Sequence, residues 1–304
     1  MSGKRAVIVA RGLEKSFGEV TAVDGIDFEV CEGECFGILG PNGAGKTSTL
    51  RMLYDFSPRG GGELSVFGLD PSREGSRVRQ VLGVVQQKDN LDQELTVREN
   101  LEVYAGYYGI DFHTLAGRLD ELLAFMELEG RGGAQIRELS GGMQRRLTIL
   151  RALVHYPRLV ILDEPTTGLD PQARHQIWAV LRKLTSGGVT VILTTHYMDE
   201  AERLCDRLVI MDKGRILHEG APRELIKRHL SRLVLEVDHK DLRETWRECG
   251  LEHESYGDRV FFNAGGEEAF SAVPYREGVL PGALRPSDLE DVFLKLTGRR
   301  LDDA

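Results

Sequence analysis

The sequence predicts an α/β fold: a mostly parallel sheet, preceded by a small β region, interrupted by a helical block and followed by a small α+β unit. Three observations carry that prediction. The apolar run Cys35–Leu39 leads through Gly40-Pro41-Asn42-Gly43-Ala44-Gly45-Lys46-Thr47-Ser48 into a helical pattern over 49–56, which gives a strand, a glycine-rich turn and a helix start in that order. The runs Leu159-Val160-Ile161-Leu162 and Val189-Thr190-Val191-Ile192-Leu193 do not alternate in polarity, as befits strands buried on both faces of a parallel sheet. From Thr96 onward, helical periodicity dominates.

A chain of 304 residues exceeds the usual size of one domain and suggests one large domain with an appendage. Its 41% hydrophobic and 29% charged residues are the balance of an ordinary soluble globular protein. A net charge of −9 argues against non-specific nucleic-acid binding, which needs a basic surface. Cys31, Cys35, Cys205 and Cys249 are few and scattered; no Cys/His pair follows to complete a metal site with the first two, so a reducing compartment is expected. The N-terminal stretch lacks the apolar core of a secretion signal, and no stretch approaches the roughly 20 apolar residues of a membrane helix. Work at a membrane would need another chain to span it.

In chain order, Ala6–Val9, Val20–Val23 and Ile26–Val30 read as short strands, with Lys15-Ser16-Phe17-Gly18 on the turn between the first two. Phe17 is hydrophobic cover by default, yet a purine needs a flat apolar partner and this turn precedes the glycine loop. In that loop Gly40, Gly43 and Gly45 leave no side chain in the way, so consecutive N–H groups can turn inward around a phosphate. The helix behind it points its positive end at the same place. Lys46 supplies a compact charge for β/γ-phosphates, and Thr47 a hydroxyl for Mg²⁺.

Beyond the loop, Glu63–Phe67 reads as a strand, Arg73–Gln80 as a short helix and Leu82–Gln87 as a buried strand running into polar residues. Thr96 and Glu99 form a capping box for a helix carrying Leu101, Tyr104, Tyr107 and Tyr108 on one face, read as core. A second helix over 115–128 repeats Leu119, Leu122, Leu123 and Met126. Ser140-Gly141-Gly142 opens the helix Arg145–His155 and is either a flexible N-cap or a second anion cradle. Asp163 and Glu164 end a buried strand, so they face a site at the carboxyl edge of the sheet, where Asp163 can hold Mg²⁺ through water and Glu164 can orient or deprotonate a water. Asp170 caps the next helix with Pro171 in its first position. His196 stands just past the run ending at Thr195, placed either as a structural residue or to reach a terminal phosphate.

With these motifs in order, residues 1 to about 230 resemble the ATPase subunit of an ABC transporter. Gly40–Ser48 resembles the family's Walker A loop, Val160–Glu164 its Walker B strand, Leu139–Gln144 its signature, Gly168–Asp170 its D-loop and His196 its switch histidine. The resemblance implies a P-loop ABC-type ATPase core, with a helical subdomain at about 90–157, and ATP and Mg²⁺ as cofactors. It assigns the link between Mg²⁺ and the membrane partner to Gln87, although Gln86 stands where the family often has Pro. It assigns adenine stacking to Phe17, where Tyr is commoner. Signature residues Ser140, Gly141, Gly142 and Gln144, with Asp170, are implied nucleotide contacts. In the family two chains meet head to tail, so that Ser140 and Gly142 of one grip the ATP held by Lys46 of the other. The implied partners are therefore a second copy and a separate integral membrane permease, at the cytoplasmic face of the membrane.

The stretches GVVQQKDNLDQELTVREN, LDPQARHQIW and LTTHYMDEAERLCDRL are similar to the nodulation-factor and antibiotic-export branch, which implies export of a drug, lipid or oligosaccharide. The competing reading is a soluble ABC-type ATPase acting on nucleic acid or ribosomes. The acidic charge, the single cassette and the lack of a long heptad insertion weigh against it, and no nucleic acid partner is expected.

Residues 231–304 read as a small α+β accessory domain without a catalytic cluster. The expected elements are a strand at Arg232–Val237, a helix at Lys240–Cys249, a hairpin at His253–Ala264 around Gly257-Asp258, a strand near Val279–Leu284, and a final helix. Ser287 with Glu290 caps that helix, Leu289, Val292, Phe293 and Leu296 give its apolar face, and Gly298 stops it.

Overall fold

A computed structural model describes residues 5–88, 90–277 and 282–298, without the side chains of residues 112 and 113. In chain order its first half contains β1 (Ala6–Phe17), β2 (Val20–Cys31), β3 (Cys35–Leu39), α1 (Lys46–Leu53), β4 (Gly61–Val66), α2 (Pro71–Gln80), β5 (Leu82–Val85), α3 (Val97–Tyr107), α4 (Phe112–Phe125) and α5 (Gly141–Leu153). Then come β6 (Leu159–Asp163), α6 (Pro171–Ser186), β7 (Thr190–Thr195), α7 (Met198–Leu204), β8 (Arg207–Asp212) and β9 (Arg215–Gly220). The remainder holds α8 (Pro222–His229), β10 (Leu233–Asp238), β11 (Glu252–Tyr256), β12 (Arg259–Ala264), β13 (Ala283–Pro286) and α9 (Leu289–Thr297). The chain forms two compact units, 1–218 and 219–304.

The larger sheet runs β5-β6-β7-β3-β8-β9, and its pairings β5·β6, β6·β7, β7·β3 and β3·β8 are parallel. Strands β3, β6 and β7 are buried at every residue, which is why they carry no polar alternation. This arrangement brings the carboxyl ends of β3, β6 and β7 side by side, so Leu39, Asp163 and Thr195 lead into adjoining loops. A second sheet, β2-β1-β4, is antiparallel. Instead of three short strands, β1 and β2 form one long hairpin. Gly12 and Gly25, at φ of 52° and 64°, absorb register shifts that would otherwise end the pairing. Both sheets share a core that includes Ile8, Phe28, Phe36, Leu53, Ile161 and Ile192.

Thr96 and Glu99 do form a capping box on α3. Leu101 is buried as expected, but the tyrosines beyond it are core only in part: Tyr104 and Tyr108 are half-buried and Tyr107 is 78% exposed. Helices α1 and α5 start at Lys46 and Gly141, several residues earlier than their apolar patterns, because their first turns carry glycines and polar side chains. The sequence reading also passed over α7, β8 and β9, which follow His196.

In the C-terminal unit the sheet runs β11-β12-β10-β13, antiparallel throughout, with the expected turn at Gly257-Asp258 between β11 and β12. Lys240–Cys249 is not one helix but two short 3₁₀ turns, His239–Asp241 and Glu244–Glu248. Leu242 pairs with Tyr275 and the Arg243 N–H donates to Pro274, which pulls the backbone between the turns out of helical geometry. Of the strand expected near Val279–Leu284, residues 279–281 lie outside the described residues; β13 runs from Ala283 to Pro286. Helix α9 is capped one residue later than expected, by Asp288 with Asp291, because the Ser287 hydroxyl donates to the Ser231 carbonyl. Gly298, at φ 70°, ends it as expected. Among the described residues no helix is long and apolar enough to cross a membrane.

Candidate functional site

The loop between β3 and α1 is built by close backbone approach. A Cβ on Gly45 would lie 2.3 Å from the Ala22 carbonyl oxygen, and one on Gly40 2.2 Å from that of Met211. Gly45 also sits at φ 103° and Gly43 at φ 80°, where an L side chain is strained. Its curve leaves a cleft of about 270 Å³ lined by Phe17, Ala22, Pro41 through Ser48, Gln87 and Glu164. The α1 N-terminus opens into it, so the cleft combines free backbone donors, a helix dipole and a lysine. A cleft floored by a glycine turn and carrying a buried lysine fits a polyphosphate.

Lys46 is only 4% exposed. Its ammonium donates to the carbonyls of Gly40 and Pro41, at 2.8 and 3.0 Å, and lies 3.5 Å from a Glu164 oxygen. Burial lowers its pKa, and the Glu164 charge partly offsets that. Glu164 is the node of the cleft. Gln87 Nε2 donates to Oε2 at 2.8 Å and the Thr167 hydroxyl at 3.2 Å, while His196 Nδ1 lies 3.3 Å from Oε1. His196 acts first, then Lys46, in holding the Glu164 carboxyl down at about 2, against its burial. The imidazole nitrogen is near enough for that attraction but is not aligned as a hydrogen-bond partner.

The Asp163 carboxylate lies behind the cleft wall, joined to it through Thr47. Its Oδ1 accepts from Thr194 at 2.6 Å and from Thr47 at 3.0 Å, so the hydroxyl opening α1 and the carboxylate closing β6 converge. Two hard oxygen donors, together with a ligand's phosphates, are what a Mg²⁺ site needs.

Of the expected contacts, Phe17, Pro41–Ser48, Gln87, Glu164 and, through Thr47, Asp163 come together; the Gly40 carbonyl accepts from Lys46 and His196 reaches Glu164. Phe17 is 53% exposed, with the Lys15 ammonium 4.9 Å from its ring centre. Of the adjacent pair Gln86 and Gln87, only Gln87 lines the cleft. Ser140, Gly141, Gly142, Gln144 and Asp170 do not line it. Ser140 caps its own helix through the Met143 N–H, Gln144 donates to the carbonyls of Ile136 and Leu139, and Asp170 accepts from the Ala173 N–H.

Two features escaped the sequence reading. Glu164 has φ 47°, a left-handed conformation in a residue with a Cβ that precedes proline, a strain of roughly 1–3 kcal/mol. It aims the carboxylate into the cleft while its N–H donates to Thr194. No residue pattern announces it. The other is Arg145, 4% exposed, whose guanidinium donates to backbone carbonyls around Gln87 and Glu164. Its signal was available: three arginines, at 145, 146 and 151, in a helix otherwise buried among Leu and Ile must find carbonyl or acidic partners.

A glycine-loop lysine, a hydroxyl and an acid at the end of a buried parallel strand, and a second acid held beside them define a P-loop nucleoside triphosphatase. The sequence profile described as ABC transporter matches residues 23–167. A Nod factor export ATP-binding protein I from Cupriavidus metallidurans (strain CH34) is 46% identical over 98% of this chain and 99% of its own length. One from Rhizobium sp. (strain N33) is 45% identical over the same shares. Among solved structures, cbiO1 of Clostridium perfringens, part of the ABC transporter complex cbiONQ, superposes with a TM-score of 0.68 at 28% identity, covering 73% of this chain and 91% of its own. The dimeric ATP-binding cassette MJ0796, bound to ADP and Pi after hydrolysis, gives 0.63 at 28% identity, over 70% and 98%. This chain belongs to the ABC transporter family, as an ATP-binding subunit and an ATPase coupled to transport.

Proposed function

We propose that this chain hydrolyses Mg²⁺-ATP as half of a head-to-tail pair, at the cytoplasmic face of a membrane, and so drives a separate permease that exports a lipid, drug or oligosaccharide. The observation that carries this reading is the extent of the likeness to the Nod factor export proteins. It runs through 98% of the chain, well outside the segment 23–167 common to ABC cassettes.

In this reading Thr47 and Asp163 would hold Mg²⁺, which would offset triphosphate charge and polarise the terminal phosphate. Lys46 gives up Glu164 to meet the β/γ-phosphates. Glu164, ionised well below neutral pH, is then free to orient and deprotonate water, and loss of its lysine neighbour raises its proton affinity toward a useful range. His196 contacts the terminal phosphate from the adjoining strand end, and Phe17 covers the adenine. Gln87 touches both the catalytic carboxylate and the cleft rim, so it can carry the state of the site to the permease. Ser140 and Gly142, with Gly141, Gln144 and Asp170 behind them, act on the nucleotide of the partner copy. The nucleotide then joins two chains, and hydrolysis removes the phosphate that both grip. Residues 231–304, appended to the ATPase domain at 1–230, serve pairing or regulation; unchanged ATPase, self-association and transport after their deletion would count against that role.

The test is co-purification from membranes. A detergent-dependent partner with several apolar spans, whose presence alters the ATPase rate, is expected. Stimulation by RNA or DNA, with no membrane partner, would point to the soluble alternative instead.

A further inference from the structure

Glu200 lies in α7, four residues past His196, and is wholly buried, at 0% exposure. Its Oε1 accepts from the Thr166 hydroxyl at 2.8 Å and from the Trp178 indole N–H at 2.9 Å. Thr166 stands two residues past Glu164, on the turn that leaves β6, and Trp178 stands on α6, the helix that Asp170 caps. One carboxylate oxygen therefore joins the segments that follow Glu164, Asp170 and His196. Burial pushes the Glu200 pKa up, against hydrogen bonds from Thr195, Trp178 and Thr166 and the charge of Arg174, which is itself paired with Asp199. A carboxyl so enclosed is costly unless its neighbours need an acceptor. Both do: an indole N–H can only donate, and an apolar side chain at 200 would leave it and the Thr166 hydroxyl unpaired.

The turn that Glu200 holds is the one in which Glu164 has φ 47°, a conformation that persists only where neighbours over-determine it. Before the turn, Thr194 takes the Glu164 N–H; beyond it, Glu200 takes Thr166. The helix that carries Glu200 begins at Met198, two residues past His196. From the side of α6, the Arg174 guanidinium lies 5.2 Å from the Trp178 ring centre and 4.4 Å from that of Tyr197, next to His196. The two ends so tied meet in the cleft, where His196 Nδ1 lies 3.3 Å from Glu164 Oε1.

We propose that Glu200 is a positioning residue that sets the Glu164 carboxylate against His196 by tying the turn after β6 to α7. It lies outside the cleft and works through Thr166 and Trp178. Resting on the reading of Glu164 as the base, this role keeps the carboxylate aimed by an acid that itself meets neither nucleotide nor water.

The full chain is assayed for ATPase as the wild type, Glu200→Gln and Glu200→Leu, each also in a His196→Ala background, with folding followed by thermal melting. Glutamine keeps an acceptor for Thr166 and Trp178, whereas leucine removes it. Glu200→Leu is expected to lower kcat by about tenfold or more with KM changed by less than about threefold, and Glu200→Gln to stay within about threefold of the wild type in both. With His196 gone the aim has no target, so Glu200→Leu should cost the His196→Ala chain less than about a further threefold in kcat. A folded Glu200→Leu chain with wild-type kcat overturns the proposal, as does a Glu200→Gln chain equally impaired. A full tenfold further loss in the His196→Ala background overturns it too, making Glu200 a support of the fold alone. Ordinary turnover in Glu164→Gln removes the base and this role together. Where Glu200→Leu does not fold, Thr166→Val, which removes one donor at nearly constant volume, takes its place in both backgrounds under the same expectations.

Discussion

The starts of α1 and α5, both read as phosphate cradles in the proposed function, are built in opposite ways. At α1 the glycines are pressed against Ala22 and Met211, and the first helical residue is a buried lysine flanked by Asp163 and Glu164. At α5 Ser140 and Gly141 are exposed, nothing lies within 4 Å of a Cβ built on Gly141, and the serine oxygen is spent on its own helix. The first carries charge, shape and reactive groups; the second carries donors and open space. An uncharged, open cradle gains little from a phosphate in water, because salt and solvent compete with its amides. It becomes effective when a second surface covers it. The contrast is what the proposed head-to-tail pair calls for: one half of the site finished within the chain, the other supplied to a partner.

That contrast can be broken at either end, and the largest effect is expected at the finished half. Glu164→Gln should lower kcat by about 100-fold or more while leaving ATP binding intact, and should accumulate ATP-bound pairs in size-exclusion chromatography. Ordinary turnover in that variant removes Glu164 from the role of base. At the open half, Ser140→Arg should cut turnover about tenfold or more and abolish ATP-dependent pairing, with binding by the isolated chain changed less than about threefold. Equal loss of binding in the isolated chain would mean that the two cradles lie on one site after all.

Smaller effects sharpen the picture of the α1 cleft. Phe17→Ala should weaken ATP binding by about 1–3 kcal/mol, the usual worth of a base–aromatic stack, and Phe17→Tyr should restore it. A binding curve unchanged by the alanine would return Phe17 to mere surface cover. The smallest effect is on acid stability. The Glu164 pKa is depressed to about 2 from an ordinary 4.5, so its stabilising share is full above about pH 4.5 and is lost as pH falls toward 2. Glu164→Gln should flatten that part of the ligand-free stability profile; an unaltered acid limb would show that the carboxylate is not held by Lys46 and His196.

How much of this was legible in the residues follows a physical line. Strands β3, β6 and β7 were readable because burial on both faces forces unbroken apolar runs, and the glycine loop because close backbone approach tolerates no other residue. The Thr96 cap was readable because its partners are local in sequence. Long-range demands were not. Ser287 looks like a cap until the Ser231 carbonyl claims its hydroxyl, and Lys240–Cys249 looks helical until Tyr275 pairs with Leu242. In the cleft, residue types and order gave Lys46, Thr47, Asp163, Glu164 and His196 as candidates. The left-handed turn at Glu164 and the reach of Arg145 depend on contacts between segments far apart in the chain, which no local pattern encodes.

The central claim is that the α1 cleft of one chain is completed by the α5 start of another. Mixing Lys46→Ala chains with Ser140→Arg chains tests it directly, since each is strongly impaired alone yet a mixed pair holds one composite site with both halves intact. ATPase activity should appear on mixing, reaching at most roughly half of the wild-type rate, because each mixed pair keeps one working site of two. No activity on mixing two well-folded variants that do pair, or full activity of Ser140→Arg by itself, would contradict the account.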